Sequence, residues 1–164
     1  MTELSEITFT TEAMEEDFIF SGPLAAKLFV STTVREAIVS VRVTDVAPDG
    51  TSTEITAGWL AASFRKTDSE KSRYLDGELV QPYHPFTKES VEKVIPGVPM
   101  ELNVEIFPTN AVIKKGHKLR VAVGPSDFPH SMSPIPQLLN QLGGIVTILH
   151  DRKHPSSIVL PEVE

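Results

Sequence analysis

A two-residue alternation of apolar and polar side chains is the dominant pattern in this chain. It is clearest over residues 100–106 and 119–123, which flank the segment KKGH at 114–117. A period of two gives an extended strand one apolar and one polar face. Gly116 can supply the positive φ that a tight turn needs. This stretch therefore predicts two half-buried strands joined by a turn, as in one wall of a β-sandwich.

The same kind of pattern predicts strands along the rest of the chain. Residues 65–99 are irregular in pattern, and GWLAASF at 58–64 fits either a strand or a short helical turn. Short strands separated by turn signals, with no long helical period, indicate an all-β antiparallel β-sandwich or jelly roll. We expect one domain over residues 1–164, with long loops and at most short helices. The predicted strands are 7–11, 24–31, 38–46, 51–56, 145–150 and 158–160, with turns at 21–23 (SGP) and 47–50 (APDG) and a short helix at 137–142.

Composition narrows the classes of function. The formal net charge of −7 argues against a general affinity for nucleic acid or anionic membranes. The absence of cysteine excludes disulfides, thiolate–zinc sites and a cysteine nucleophile. The acidic N-terminus, MTELSEITFTTEAMEED, lacks the pattern of a signal peptide, and no apolar run reaches the length of a membrane-spanning helix. We therefore expect neither a nucleic-acid nor a membrane partner. The compartment stays open, because a domain without disulfides can lie in the cytosol or outside the cell, and the cytoplasm is favoured over secretion.

A serine nucleophile is the first catalytic possibility that the sequence raises. The segment Gly124-Pro125-Ser126-Asp127-Phe128 approaches the Gly-x-Ser-x-Gly elbow of α/β-hydrolases, but Phe128 replaces the second glycine. A loop in which Ser126 or Asp127 caps backbone amides is the favoured interpretation. We predict no catalytic residue in this chain.

A few residues also raise the possibility of a metal or sugar site. His150 and His154 have the i, i+4 spacing of a helical metal pair, but Pro155 argues for a turn that Asp151 caps. Asp45 and Asp49 could bind calcium, although turn capping is more common. We predict no metal and no cofactor. Trp59, in the apolar run 58–64, is predicted to lie in the core, which leaves a sugar site with little support.

Five segments, which together cover most of the chain, carry a resemblance to a known family. They are VSVRVTDVAPDG (39–50), SRYLDGELVQPYHPF (72–86), PGVPMELNVEIFPTNAVIKKGHKLRVAV (96–123), SDFPH (126–130) and HDRKHPSSIVLP (150–161). In these segments the sequence resembles the C-terminal non-catalytic domain of the X-Pro dipeptidyl-peptidase and cocaine esterase family of serine hydrolases. The resemblance implies a jelly-roll β-sandwich, similar to galactose-binding folds, that packs on an α/β-hydrolase domain carrying the Ser-Asp-His triad.

On this resemblance the chain is an accessory domain and its partner is a hydrolase domain of the same parent polypeptide. The parent would act on esters or X-Pro peptides, while this chain alone would not be catalytic. Loops that are apolar in a separate domain are expected to bury against a partner. The interface candidates are Tyr74, Tyr83, Phe86, Ser126, Asp127, Phe128 and Ile135.

The sequence leaves two alternatives open. The first is a freestanding jelly-roll module that binds carbohydrate or calcium. The second concerns oligomerisation, since exposed strand edges and apolar loops could also drive a homo-oligomer.

Overall fold

The computed structural model describes residues 6–125 and 144–163 and shows ten antiparallel strands in two stacked sheets and a small hairpin. Two one-turn 3₁₀ helices, Ala62–Phe64 and Lys88–Ser90, are the helical elements of these residues. Among them, no helix is long and apolar enough to cross a membrane. The strands are β1 (Ile7–Thr10), β2 (Phe18–Thr32), β3 (Ile38–Val46), β4 (Ser52–Ala61), β5 (Arg73–Leu75), β6 (Glu78–Gln81), β7 (Met100–Ile113), β8 (Lys118–Gly124), β9 (Val146–Leu149) and β10 (Ser157–Val159).

The first sheet has the strand order β1-β8-β3-β4, and the second has the order β10-β2-β7 with β9 pairing a different part of β2. Alternate residues of their strands point inward, as the two-residue period predicts. The predicted all-β antiparallel sandwich is confirmed. Its core contains Phe20, Leu24, Ala26, Leu28 and Val30 of β2, Val39, Val41 and Val43 of β3, Leu60 of β4, Leu102, Val104, Ile106 and Ile113 of β7, and Leu119 and Val123 of β8.

The predicted turn at Ser21-Gly22-Pro23 is wrong. These residues lie inside β2, which pairs with β7 from Phe18 to Val30. The register shifts between Gly22 and Leu24, and Gly22 has φ +124°. Glycine and proline therefore mark a β-bulge here, because both disturb a ladder without necessarily ending it.

The other predicted turns are confirmed. In the 47–50 turn, the amide of Gly50 donates to the carbonyl of Ala47 at 2.9 Å, and β3 and β4 form the expected hairpin. In the 114–117 turn, Gly116 has φ +83° and the amide of His117 donates to the carbonyl of Lys114. These turns were predictable because their geometry depends on local residues.

Residues 65–99 are more ordered than their pattern suggests. They contain the β5–β6 hairpin, whose second strand contacts β2, β7 and β10 of the second sheet. Val80 of β6 is buried, and so is Ala25, which points away from the core of the sandwich. The hairpin thus covers part of the outer face of the second sheet, in agreement with the expectation that this segment lies against a surface.

The two sheets meet most closely where β4 approaches β7. A Cβ atom placed on Gly58 would lie 2.0 Å from the carbonyl oxygen of Glu105 and 2.9 Å from the Cα of Ile106. Only glycine allows this backbone approach. Nearby, the hydroxyl of Thr56 donates to the carbonyl oxygen of Phe107 at 2.8 Å. The edge of β4 is therefore fixed against the edge of β7.

We expect Gly58→Ala to destabilise the domain by about 3 kcal/mol or more, because the added methyl group would overlap the backbone of β7. The measurement is the free energy of unfolding in denaturant. Ser52→Thr, which also adds one methyl group to β4 but at an exposed position, should change the free energy by less than about 0.5 kcal/mol. Equal stability of the two variants would contradict the close approach.

Candidate docking surface

An aromatic pair lies on the outside of the junction between the two sheets. Leu60 and Gly58 of β4 are buried, so that Trp59 between them points outward. Its ring meets the ring of Phe107, on β7, edge to face with centroids 5.5 Å apart. Edge-to-face contact is a favourable arrangement of two aromatic rings. The close approach of β4 and β7 thus brings together two aromatic side chains from different sheets.

A third aromatic residue, Phe86, comes from the segment after β6. Its ring lies 5.6 Å from the rings of both Phe64 and His84. Phe86 has φ +51°, a left-handed conformation that bulky residues rarely adopt. The surrounding contacts must hold this residue in a strained backbone, a feature that is enriched at functional positions.

These residues form one shallow groove, which we call the aromatic groove, with a volume of about 210 Å³. Phe86 is 62% exposed, Phe107 60% and Trp59 41%. Isolated apolar side chains at a surface are ordinary, but a contiguous exposed group marks an interaction site. The groove is lined by Gly58, Trp59, His84, Phe86, Glu105 and Phe107.

The prediction that Trp59 lies in the core is wrong. The composition of the run 58–64 suggested burial, whereas the strand alternation decides the direction of each side chain. Trp59 pairs with Ser40 of β3, whose side chain also lies on the outer face, while Leu60 pairs with the core residue Val39. The pairing with β3 was the signal that could have placed Trp59 outside.

Three of the seven predicted interface residues fall within the described part of the chain. Tyr74, Tyr83 and Phe86 are all exposed, and Phe86 belongs to the aromatic groove. Tyr83 lies near Lys71, whose Nζ is 5.1 Å from the ring centroid. Sequence reasoning missed Trp59 and Phe107. Ser126, Asp127, Phe128 and Ile135 lie outside the described residues.

The other candidate sites have structural partners. Asp151 accepts hydrogen bonds from the His154 ring and from the amide of Lys153, which together hold the pKa of the Asp151 carboxyl below its usual value. The predicted Asp151 turn is confirmed. His154 also packs on the ring of Phe29, and His150 on the ring of Phe9.

The two aspartates that could bind calcium, Asp45 and Asp49, also have hydrogen-bond partners within the protein. Asp45 lies 2.8 Å from Nδ1 of His117. Asp49 accepts a hydrogen bond from the amide of Thr51, and hydrogen bonds from Thr51 lower the pKa of the Asp49 carboxyl. Within residues 6–125 and 144–163, no three metal-ligating side chains are grouped.

A second apolar region lies on the opposite side of the sandwich. There β1 and β8 face β9 and β10 across a cleft of about 220 Å³. Its lining includes Phe9, Leu28, Val123 and Ile148. This cleft opens between the sheets, whereas the aromatic groove lies on the surface where the sheets join.

Comparison with known proteins identifies the family. A family model described as the X-Pro dipeptidyl-peptidase C-terminal non-catalytic domain matches residues 2–159. The chain belongs to this family. The family resemblance expected from the sequence is confirmed, and the description "non-catalytic" agrees with the prediction that the triad lies elsewhere.

Relatives of this domain are much longer proteins. A protein of Mycobacterium bovis named as a serine esterase is 26% identical over 158 residues, which are 96% of this chain and 24% of that protein. Cocaine esterase from Rhodococcus sp. is 24% identical over 166 residues, covering 96% of this chain and 25% of the relative. Xaa-Pro dipeptidyl-peptidase from Streptococcus gordonii is 27% identical over 135 residues, covering 73% of this chain and 17% of the relative. The domain thus spans about a quarter or less of their length.

Solved structures share the fold. A CocE/NonD family hydrolase from Staphylococcus aureus superposes with a TM-score of 0.77 at 20% identity, over 99% of this domain and 31% of that chain. An aminopeptidase from a marine sediment Thaumarchaeota archaeon gives 0.74 at 18% identity, over 99% of this domain and 26% of that chain. The β-sandwich is therefore the fold found in these longer chains.

The strained backbone of Phe86 gives a test of the groove's construction. We expect Phe86→Gly to be more stable than Phe86→Ala by about 1 kcal/mol, because both variants lose the ring but only glycine accepts the positive φ without cost. Denaturant unfolding would measure the difference. At Tyr83, where φ is not positive, the order should reverse, since alanine restricts the unfolded chain more than glycine does. The same order at both positions would contradict the strain.

Proposed function

We propose that this domain packs against an α/β-hydrolase domain of the same polypeptide and uses the aromatic groove as a docking surface. The hydrolase domain would carry the catalytic triad and act on esters or X-Pro peptides. The accessory domain would stabilise the hydrolase domain and form one wall of its active-site cleft. The observation that carries the proposal is the exposure of three large aromatic side chains in one groove of a family member whose relatives are hydrolases.

Energetics favour a protein partner for such a surface. Fully burying one large apolar side chain contributes roughly 1.5–3 kcal/mol. Tryptophan and other aromatic residues are common among the few side chains that dominate interface energies. Trp59, Phe86 and Phe107 come from β4, the segment after β6, and β7, so three separate parts of the fold hold them. A rigid groove of this kind needs little ordering when a partner binds.

Tyr74 and Tyr83 would extend the contact along the 65–99 segment. Both are exposed, and Tyr83 is tied to this segment because its amide donates a hydrogen bond to the hydroxyl oxygen of Ser72 at 3.0 Å. Ser126, Asp127, Phe128 and Ile135 remain candidates for the same interface on the basis of the family resemblance alone.

The docking proposal is tested by titrating the domain with the hydrolase domain encoded in the same reading frame, using calorimetry. We expect Phe86→Ser and Phe107→Ser each to raise Kd at least about tenfold, since each removes an aromatic anchor.

Two further variants provide a matched control. Ile19 and Val112 are exposed apolar residues that pair with each other at the other end of the β2–β7 ladder. Ile19→Ser and Val112→Ser should leave Kd unchanged. Absence of any complex with the wild-type domain, or equal losses in all four variants, would refute docking through the aromatic groove.

A second function is favoured by the exposure of Trp59. Aromatic rings beside a carboxylate suit the apolar faces and hydroxyl groups of a sugar, and Glu105 lines the groove and accepts a hydrogen bond from the Gln81 amide at 3.0 Å. Carbohydrate binding would use the same surface and would therefore compete with docking.

If a sugar is the ligand, the melting temperature should rise with its concentration, because a ligand selective for the folded state stabilises it. Trp59→Ala should abolish the rise, and Ile19→Ser should retain it. A thermal-shift series with mono- and disaccharides that stays flat would count against this function.

A further inference from the structure

His84 is buried between the segment that follows β4 and the edge of β7. Its Nδ1 atom lies 3.1 Å from the carbonyl oxygen of Lys66, and its Nε2 atom lies 2.7 Å from the carbonyl oxygen of Asn103. The residue as a whole is 7% exposed. Both ring nitrogens therefore face groups that can only accept hydrogen bonds.

The two contacts require a particular protonation state. A neutral imidazole has one N–H, so either tautomer would direct a nitrogen lone pair at one of the two carbonyl oxygens. The imidazolium has an N–H on each nitrogen and satisfies both acceptors. The 2.7 Å contact is at the short end of N–H···O distances, where charge-assisted hydrogen bonds are found. Burial opposes the charge, and the two hydrogen bonds favour it.

We propose that His84 is held as an imidazolium and acts as a pH-dependent clamp between the 65–86 segment and the edge of β7. The clamp is complete at low pH, where both ring nitrogens are protonated. It is lost as pH rises and one proton leaves, because one carbonyl then faces a lone pair. Phe86 follows His84 by two residues and contacts its ring, so the shape of the aromatic groove changes with the state of the clamp.

Charged residues lie on the elements that surround the His84 ring. Glu105 lines the same groove and carries a carboxylate. Glu101 lies two residues from Asn103 on β7, and Lys27 of β2 pairs with Asn103. The nearby segment carries two more charged residues, Lys66 and Asp68, and the amide of Asp68 donates a hydrogen bond to the carbonyl oxygen of Tyr83 at 2.9 Å.

Other titrating groups can be separated from His84. Hydrogen bonds from Lys114 and Lys115 hold the pKa of the Asp17 carboxyl below its usual value, and the pKa values of Asp49 and Asp151 are also lowered. These carboxyl groups titrate at lower pH than an ordinary histidine.

His117 is the matched control, because it is a partly exposed histidine bonded to the Asp45 carboxylate. The clamp concerns the domain's own fold and does not depend on the docking proposal.

The direct test is nitrogen NMR of the histidine rings in the wild-type domain. At about pH 5–6, both His84 nitrogens should give the matching shifts of an imidazolium, with a slowly exchanging proton on each. The chain has a single tryptophan, Trp59, which lines the same groove. Its fluorescence should follow the His84 titration. A His84 ring with one protonated nitrogen throughout this range would overturn the proposal, whatever the variants do.

The second test compares variants across pH. Between about pH 6 and pH 8, the wild-type Tm should fall by about 2–4 °C relative to that of His84→Gln, which has no ionisable ring. The pH response of Trp59 fluorescence should disappear in this variant and persist in His117→Gln. Parallel Tm profiles of wild type and His84→Gln, or an unchanged fluorescence response, would refute the clamp.

Discussion

The free edge of β7 is the constraint on which this sandwich depends. In an antiparallel ladder, alternate residues turn their backbone groups away from the paired strand. Along β7, the carbonyl oxygens of Asn103, Glu105 and Phe107 meet the His84 ring, the backbone at Gly58 and the Thr56 hydroxyl, respectively. An uncovered edge would invite pairing with other chains. A histidine ring, a close backbone contact and a threonine hydroxyl therefore cover one row of carbonyl groups and join the second sheet to β4.

Covering this edge also brings three exposed aromatic side chains together in one groove. Trp59 and Phe107 belong to different sheets and meet because Gly58 lets β4 and β7 approach so closely. The same junction supports Phe86 through its contacts with Phe64 and His84. On the opposite side, β1 stands apart from β9 and β10 across an apolar cleft. The sandwich is thus closed on the side that carries the groove and open on the other.

This arrangement suits a domain that works by contact. The chain belongs to a family of non-catalytic domains and spans about a quarter of the serine esterase and cocaine esterase relatives. Among the described residues, Asp49 and Asp151 accept hydrogen bonds in turns, His150 and His154 make ring contacts, and His84 lies at the edge of β7. Under the docking proposal, the aromatic side chains of the groove would be the part of this surface that contacts a partner. The protonation of His84 would connect the pH of the solution with the shape of that surface.

The sequence by itself determined the all-β class, most strands and the two tight turns at 47–50 and 114–117, because alternation and turn residues act locally. It also carried the family resemblance, through matching stretches across most of the chain. Only the tertiary structure decided that Gly22 forms a bulge and that Trp59 points outward, since each depends on pairing with a distant strand. The role of His84 also could not be predicted from the sequence. The carbonyl group of Lys66 lies 18 residues before His84 in the sequence, and that of Asn103 lies 19 residues after it. Only the packing at the edge of β7 brings both acceptors to one ring.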